Sequence, residues 1–276
     1  MQDGRAGGDA GVIIASPIEV SRAGAVMVLT LNQVASRNAL SEAMIAALHT
    51  AIDTAAVDAT VAVVVIQAEG PAFSAGHDLK ELTAHRTDAD GGRAYFAKLM
   101  TACAAMMQAI ERCPKPVIAA VEGVATAAGC QLVATCDLAI ASATAKFATP
   151  GVNIGLFCST PMVALTRNVP RKKAMEMLLL GEMLDAQGAV DFGLVNKVVP
   201  SDRVRGEALV WAQTIAAKSS LTVAIGKEAF YRQINMSTAD AYAHAADVMV
   251  RNMMARDAEE GIGAFIDKRK PEWRGC

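Results

Sequence analysis

Two apolar, β-branched runs, Val26–Leu31 (VMVLTL) and Val61–Gln67 (VAVVVIQ), have strand length and are bounded by polar or small residues, so they predict buried strands. Between them, Ser41–Ala56 carries helix-forming residues behind a serine in N-cap position. Arg93–Arg112 predicts a second helix, ended by Cys113-Pro114-Lys115-Pro116, because proline lacks an N–H and clashes with the preceding turn. Val117–Val121 then predicts a short buried strand, residues near Ala128–Thr135 a small Ala/Gly-rich helix, and Asp137–Ala141 a further strand. From about Asp202 the pattern is helical alone, with segments near 202–217, 219–233 and 238–258, the last opened by Ser237-Thr238-Ala239-Asp240 as a capping box.

Strands alternating with helices, followed by helices only, predict an α/β core with a C-terminal helical subdomain. The expected division is a flexible start over residues 1–20, the core over 21–200 and the helical part over 201–276. No internal repeat of 20 to 50 residues stands out.

Composition narrows the function classes. A chain of 276 residues with 53% hydrophobic content can bury a large core. A formal net charge of −2, with no long basic run, argues against a polynucleotide partner. No apolar stretch approaches the roughly 18 residues of a membrane span. The six cysteines, Cys103, Cys113, Cys130, Cys136, Cys158 and Cys276, include no Cys-x-x-Cys pair and lie mostly in apolar segments, as reduced thiols do, rather than as a disulfide framework or zinc site. The first twenty residues contain one arginine and resemble neither a signal peptide nor a basic transit peptide, so a cytoplasmic protein is expected.

Two small-residue turns carry the candidate chemistry. Pro71-Ala72-Phe73-Ser74-Ala75-Gly76-His77-Asp78-Leu79-Lys80-Glu81 follows the strand at 61–67, and Glu122-Gly123-Val124-Ala125-Thr126-Ala127-Ala128-Gly129-Cys130-Gln131 follows the strand at 117–121. Small residues where a strand turns into a helix let a ligand approach the backbone, and the first N–H groups of a helix point outward with its positive dipole end behind them. One such turn alone is as readily a packing device. Two side by side can hold one oxyanion between them.

In these turns, and in Arg37-Asn38-Ala39-Leu40, Pro116–Asp137, Phe147–Gly155 and Phe265-Ile266-Asp267-Lys268-Arg269-Lys270, the chain resembles the crotonase, or enoyl-CoA hydratase/isomerase, superfamily from about Val26 to Trp273. The stretch Phe147–Pro161, with Ala125–Asp137 and the ending Lys268–Trp273, is similar to the enoyl-CoA hydratase domain-containing protein 3 group. The resemblance implies a spiral of β-β-α units with a C-terminal helical subdomain that builds a homotrimer or a dimer of trimers. It implies an acyl-CoA or enoyl-CoA substrate, no metal, and no cofactor apart from the coenzyme A of the thioester. On this resemblance the backbone N–H groups of His77 and Ala128 form an oxyanion hole, and Ala75 and Leu79 line the adenine pocket with Lys80 nearby. Arg37 and Ala39 flank the phosphates or pantetheine. Phe265 and Lys268 reach the nucleotide from the C-terminal helices, of this subunit or a neighbouring one.

The chain departs from the family's hydratases at the two glutamates that add water: the matching positions hold Gln131 and Gly151. Glutamine has no titratable proton near neutral pH, and glycine has no side chain. A positioned acid or base contributes about 10²–10⁴-fold, so efficient hydration is not expected. Members of the group share this loss. The Phe-Ser-Ala-Gly-His-Asp run also resembles methylmalonyl-CoA decarboxylase, whose tyrosine would fall near Cys158. Three readings therefore stand: an altered hydratase/isomerase, a decarboxylase that uses the hole to stabilise an enolate, and a non-catalytic acyl-CoA binding protein.

Other ionisable groups are weaker candidates. The His77 imidazole could act in the pocket or merely line its mouth, and Cys158 is more simply a small buried residue than a nucleophile. Asp78 and Glu81 suit a helix start. His85 falls in a polar stretch, Thr83–Arg93, expected to be mobile, and His49 and His244 fall in helices without a motif.

Overall fold

The computed structural model describes residues 16–276. Of the expected flexible start, residues 1–15 lie outside the described residues, whereas Ile18 already begins a strand. Strand β1 (Ile18–Ala23) pairs antiparallel with β2 (Val26–Leu31), matching Ile18 to Leu31 and Ala23 to Val26 across a tight turn. As the edge strand it presents Glu19, Ser21 and Arg22 to solvent, which blunts further strand pairing.

Helix α1 (Glu42–Val57) starts at Ser41, whose side chain accepts the Met44 N–H at 3.2 Å, as the sequence predicts. Strand β3 (Val63–Ala68) follows, then a three-residue strand β4 (Ala72–Ser74) and helix α2 (Leu79–Ala84). Helix α3 (Arg93–Arg112) ends before Cys113-Pro114 and leads to β5 (Val117–Val121), β6 (Val124–Thr126) and α4 (Ala128–Thr135). The same order recurs as β7 (Leu138–Ser142) and β8 (Lys146–Ala148), which lead to α5 (Pro161–Asn168) and α6 (Arg171–Leu180). Strand β9 (Leu184–Asp185), α7 (Ala186–Asp191) and β10 (Lys197–Val199) close this part.

Each turn of the chain thus adds one strand to each of two sheets and then a helix. The first sheet runs β1-β2-β3-β5-β7-β10, parallel from β2 onward, and the second runs β4-β6-β8-β9. This is the β-β-α spiral that the sequence leads one to expect. Strands β2, β3 and β5 read as unbroken apolar runs because sheet and helices cover both their faces. Helix α4 has all eight residues buried, so it lies inside the core rather than on it.

Helix α8 (Val204–Ala216) departs from the expected boundary at residue 200. Val204, Ala208 and Ala212 recur at helical spacing and are buried against Val28, Val63, Ile118 and Ile140 of the first sheet, so α8 belongs to the α/β core. The helical extension begins with α9 (Ser220–Gln233). The expected helix over 238–258 is two helices, α10 (Thr238–Met253) and α11 (Arg256–Ile266), separated at Met254–Ala255. Ser237 does cap α10, accepting the Asp240 N–H at 3.2 Å. The extended backbone of Ala255, with ψ 144°, breaks the run without glycine or proline.

Candidate active site

The second sheet brings the two small-residue turns together. Strand β4 pairs in parallel with β6, aligning Ala72 with Val124 and Ser74 with Ala125, so both chains leave the same sheet edge toward the same side. The first turn passes Gly76 at φ +89°, a conformation open mainly to glycine. A Cβ there would stand 2.9 Å from the Ala127 Cβ and 3.2 Å from the Ala128 nitrogen, so the two turns touch at these residues. Gly129 approaches even closer to β4: a Cβ on it would be 2.2 Å from the Ser74 carbonyl oxygen.

Ala128 opens α4, and its N–H is one of the first-turn donors that a helix leaves without a partner. The residue before it, Ala127, holds φ 50° and ψ −118°, a strained backbone for a residue with a side chain. That conformation is fixed from both sides: the Ala127 N–H donates to Ala148 on β8, and its carbonyl accepts from Gln131. Opposite, His77 forms an isolated parallel bridge with Leu40, in which the Leu40 N–H donates to Gly76 at 2.7 Å. Neither the His77 N–H nor the Ala128 N–H meets an acceptor among the described residues.

Both residues line one cavity of about 540 Å³. Its walls are mostly apolar, from Leu82, Phe96 and Met100 on one side to Ile154, Leu156 and Phe157 on the other, and no aspartate or glutamate lines it among the described residues. A larger cleft of about 980 Å³, between Glu111–Pro114 and helices α9 and α10, contains neither turn. Shape alone would favour the larger one. The unpartnered amides favour the smaller.

Of the expected site residues, Ala75, His77, Leu79, Ala128, Gly151 and Cys158 share the 540 Å³ cavity. Gly151 is buried, and a Cβ on it would lie 2.9 Å from the Cys158 Sγ and 2.8 Å from the Leu156 carbonyl, so the thiol and the 156–158 backbone fill the space a side chain would need. Burial pushes the Cys158 thiol up, with the Gly151 N–H acting against it. Burial also lowers the His77 pKa, and its Nε2 is buried without a partner. Gln131 does not reach the cavity wall: it is buried on α4 with its Oε1 unpartnered.

The coenzyme A residues divide. The Arg37 carbonyl accepts the Ala75 N–H at 3.1 Å, so the exposed Arg37 and the buried Ala39 lie against the first turn. Lys80 is exposed on α2 beside the cavity-lining Leu79. Phe265 and Lys268 do not join this site: Phe265 is exposed at the end of α11, which packs on α9 and α10, and neither lines the cavity. The sequence signal placed them by resemblance, whereas the fold of one chain carries α11 elsewhere.

Asn38, within the Arg37-Asn38-Ala39-Leu40 stretch, braces the site. Its Oδ1 accepts the Gln33 N–H and its Nδ2 donates to Glu69 and Ala72, each at 2.8 Å, binding residues 33–40 to both ends of the β3–β4 connection. Asp78 and Glu81 serve as helix caps, as expected: Asp78 accepts the Lys80 and Glu81 N–H groups, while Glu81 accepts the Glu42 N–H at the start of α1. The stretch after Thr83 is ordered rather than loose. His85 pairs with Asp88 at 2.8 Å and stacks on Tyr95 with ring centroids 3.5 Å apart, and Asp90 accepts the Gly92 and Ala94 N–H groups.

Similarity to known proteins agrees with this architecture. The enoyl-CoA hydratase domain-containing protein 3 of Homo sapiens, a mitochondrial protein, is 49% identical over 245 residues, covering 89% of this chain and 79% of the relative. Its crystal structure superposes with a TM-score of 0.89 at 47% identity, over 93% of this chain and all of the other. An enoyl-CoA hydratase from Mycobacterium smegmatis gives a TM-score of 0.88 at 51% identity, over 93% of this chain and 98% of that one. The expected cytoplasmic location does not stand against relatives from rat, mouse, frog and human that are named as mitochondrial. With the family profile matching residues 21–276, the chain belongs to the enoyl-CoA hydratase/isomerase family, in its crotonase fold.

Proposed function

We propose that the 540 Å³ cavity binds an acyl-CoA thioester with its carbonyl oxygen between the N–H groups of His77 and Ala128, and stabilises the enolate formed next to that carbonyl. The observation that carries this reading is a pair of amides without acceptors among the described residues, one from each turn, on residues that line a single apolar cavity. Donors fixed before the charge develops need no reorganisation, and removing one such donor costs about 10²–10³-fold in rate. Ala75 and Leu79 hold the adenine end, and Arg37 and Lys80 supply positive charge for the phosphates. Phe265 and Lys268 reach that nucleotide only from another copy, in a homotrimer or dimer of trimers. Such an assembly would also cover the exposed Met249, Val250, Met253, Ile262 and Ile266 of α10 and α11.

Hydration is not the chemistry this cavity favours. Among the described residues no carboxylate lines it, Gln131 is set back from its wall, and a side chain at Gly151 would meet the Cys158 Sγ and the Leu156 carbonyl. The same lack favours a second reading, decarboxylation of a malonyl-type thioester: the C–C bond breaks, carbon dioxide leaves, and the electron pair passes to the thioester enolate held by the two amides. No base is required to begin that step.

Mass spectrometry of enoyl-, malonyl-, methylmalonyl- and ethylmalonyl-CoA after incubation separates the readings. A gain of water marks hydration, a loss of carbon dioxide marks decarboxylation, an isobaric product of altered chromatographic retention marks isomerisation, and unchanged mass and retention with saturable acyl-CoA binding mark a binding protein. No binding of any thioester would overturn the assignment of the cavity.

A further inference from the structure

Among the described residues, one charged side chain lines the acyl cavity. Arg86 lines it together with Phe96, and the guanidinium carbon lies 5.6 Å from the centre of that ring. Such a placement presents a cation over the ring face and fixes its plane. Arg86 makes no ion pair among the described residues. The carboxylates closest to it in sequence are engaged elsewhere: Asp88 with His85, and Asp90 with the first N–H groups of α3.

Its position is set by ordered structure. Arg86 occupies the 3₁₀ turn His85–Thr87, directly after α2. That turn is pinned by the His85–Tyr95 stack and by Gly92, where a Cβ would stand 2.7 Å from both the His85 carbonyl and the Phe96 ring. The chain segment that begins with the His77 amide therefore ends, nine residues on, with a cation in the same cavity.

Arg86 is exposed to solvent as well as lining the cavity, so a plain alkyl chain offers its unpaired guanidinium no partner and gains nothing from it. A chain ending in a carboxylate would pair with it, and guanidinium binds carboxylate through two parallel hydrogen bonds. A site built to hydrogen-bond a substrate group rejects the analogue that lacks it far more strongly than it senses one methylene. We propose that Arg86 recognises a second, distal carboxylate, so that the preferred ligands are thioesters of dicarboxylic acids rather than of simple fatty acids. This rests on the cavity being the acyl-CoA site argued above.

Calorimetric titration of the wild-type protein with coenzyme A and with glutaryl-, adipoyl- and suberoyl-CoA, each beside its monocarboxylic counterpart pentanoyl-, hexanoyl- or octanoyl-CoA, tests it. At least one dicarboxylic thioester is expected to bind tenfold or more tightly than its counterpart. Arg86→Gln should bring that ratio to within twofold by weakening the dicarboxylic thioesters, and Arg86→Lys should keep part of it. If no dicarboxylic thioester is preferred, or if Arg86→Gln weakens coenzyme A and every thioester alike, Arg86 serves the phosphates or nothing, and the inference falls alone. If neither coenzyme A nor any thioester binds, the assignment of the cavity falls with it.

Discussion

Lys227 on α9 places its Nζ 2.6 Å from Asp137 Oδ2, at the seam where β5 and β7 begin. The same ammonium donates to the carbonyls of Ile110 and Lys115 at 2.9 and 3.0 Å. The carboxylate accepts the Val117 N–H at 2.7 Å and the Tyr231 hydroxyl at 2.8 Å. Lys227 is buried and Asp137 half-buried, and the hydrogen-bonded pair fastens the helical extension to the core that carries the candidate site.

Removing the ammonium would leave the half-buried Asp137 beside two carbonyl oxygens without a donor. Lys227→Ala is expected to destabilise the protein by about 3–5 kcal/mol, the range for breaking one side of a buried pair. Tyr231→Phe deletes one hydrogen bond to the charged group and should cost roughly 1.5–3 kcal/mol. Urea unfolding of the two variants beside wild type gives both values, and the order Lys227→Ala above Tyr231→Phe is the outcome to check.

The strain at Ala127 can be released by removing one partly buried methyl group. Glycine adopts φ 50°, ψ −118° freely, so Ala127→Gly removes about 1–3 kcal/mol of backbone strain, against about 0.4–1 kcal/mol of added unfolded-chain entropy. A net gain on the order of 1 kcal/mol is expected, read as a higher melting temperature. A loss would mean that the backbone of Ala127 is relaxed by its neighbours.

Close approach and open space make opposite predictions for two glycines. Gly129→Ala would set a methyl 2.2 Å from the Ser74 carbonyl oxygen, forcing α4 away from β4 and moving the Ala128 amide with it. Both stability and acyl-CoA affinity should fall, the former by about 1–3 kcal/mol or more as for other overpacked cores. Gly206→Ala, exposed within α8 with nothing near the added methyl, should instead raise stability by about 0.5–1 kcal/mol with affinity unchanged. Thermal melts and thioester titrations of the pair distinguish a local effect at the site from a general one.

How far the sequence carries the argument differs by element. Val26–Leu31 and Val117–Val121 announce their strands, because a strand covered on both faces needs an unbroken apolar run. The starts of α1 and α10 are readable because Ser41 and Ser237 fit an N-cap. The second sheet is not readable. Ala72–Ser74, Val124–Thr126 and Lys146–Ala148 are three residues each, too short for any alternation to register, and only their pairing with one another makes them strands. The split between α10 and α11 is hidden because Met254 and Ala255 are good helix formers and neither is a glycine or proline that would signal a break. Of the candidate site, the two small-residue turns that meet at one cavity are legible. The brace at Asn38 is not, since its partners Glu69 and Ala72 are more than thirty residues away.

His77 makes stability depend on pH in a defined direction. Burial lowers its folded pKa below the unfolded value near 6.5, so the unfolded chain takes up a proton first as pH falls. The folded state is then penalised progressively from about pH 6.5 down to the folded pKa, and the penalty is absent at pH 7 and above. His77→Gln keeps the backbone N–H and removes the titrating ring. Its stability should therefore fall less than that of wild type between pH 7 and pH 5, when both are measured by urea unfolding.

Restoring one glutamate should not restore a hydratase. Gly151→Glu would introduce a side chain whose Cβ already meets the Cys158 Sγ at 2.9 Å and the Leu156 carbonyl at 2.8 Å, so the 156–158 backbone must move before the carboxylate can turn toward the thioester. The variant is expected to lose about 1–3 kcal/mol of stability by overpacking. It should hydrate crotonyl-CoA no faster than wild type, followed by loss of the enoyl absorbance. Pairing it with Cys158→Ala removes the sulfur and leaves the backbone obstruction in place, so stability should partly recover while hydration stays absent. Strong hydration by the single variant would show that the loop yields easily, and that the missing carboxylate alone had silenced the reaction.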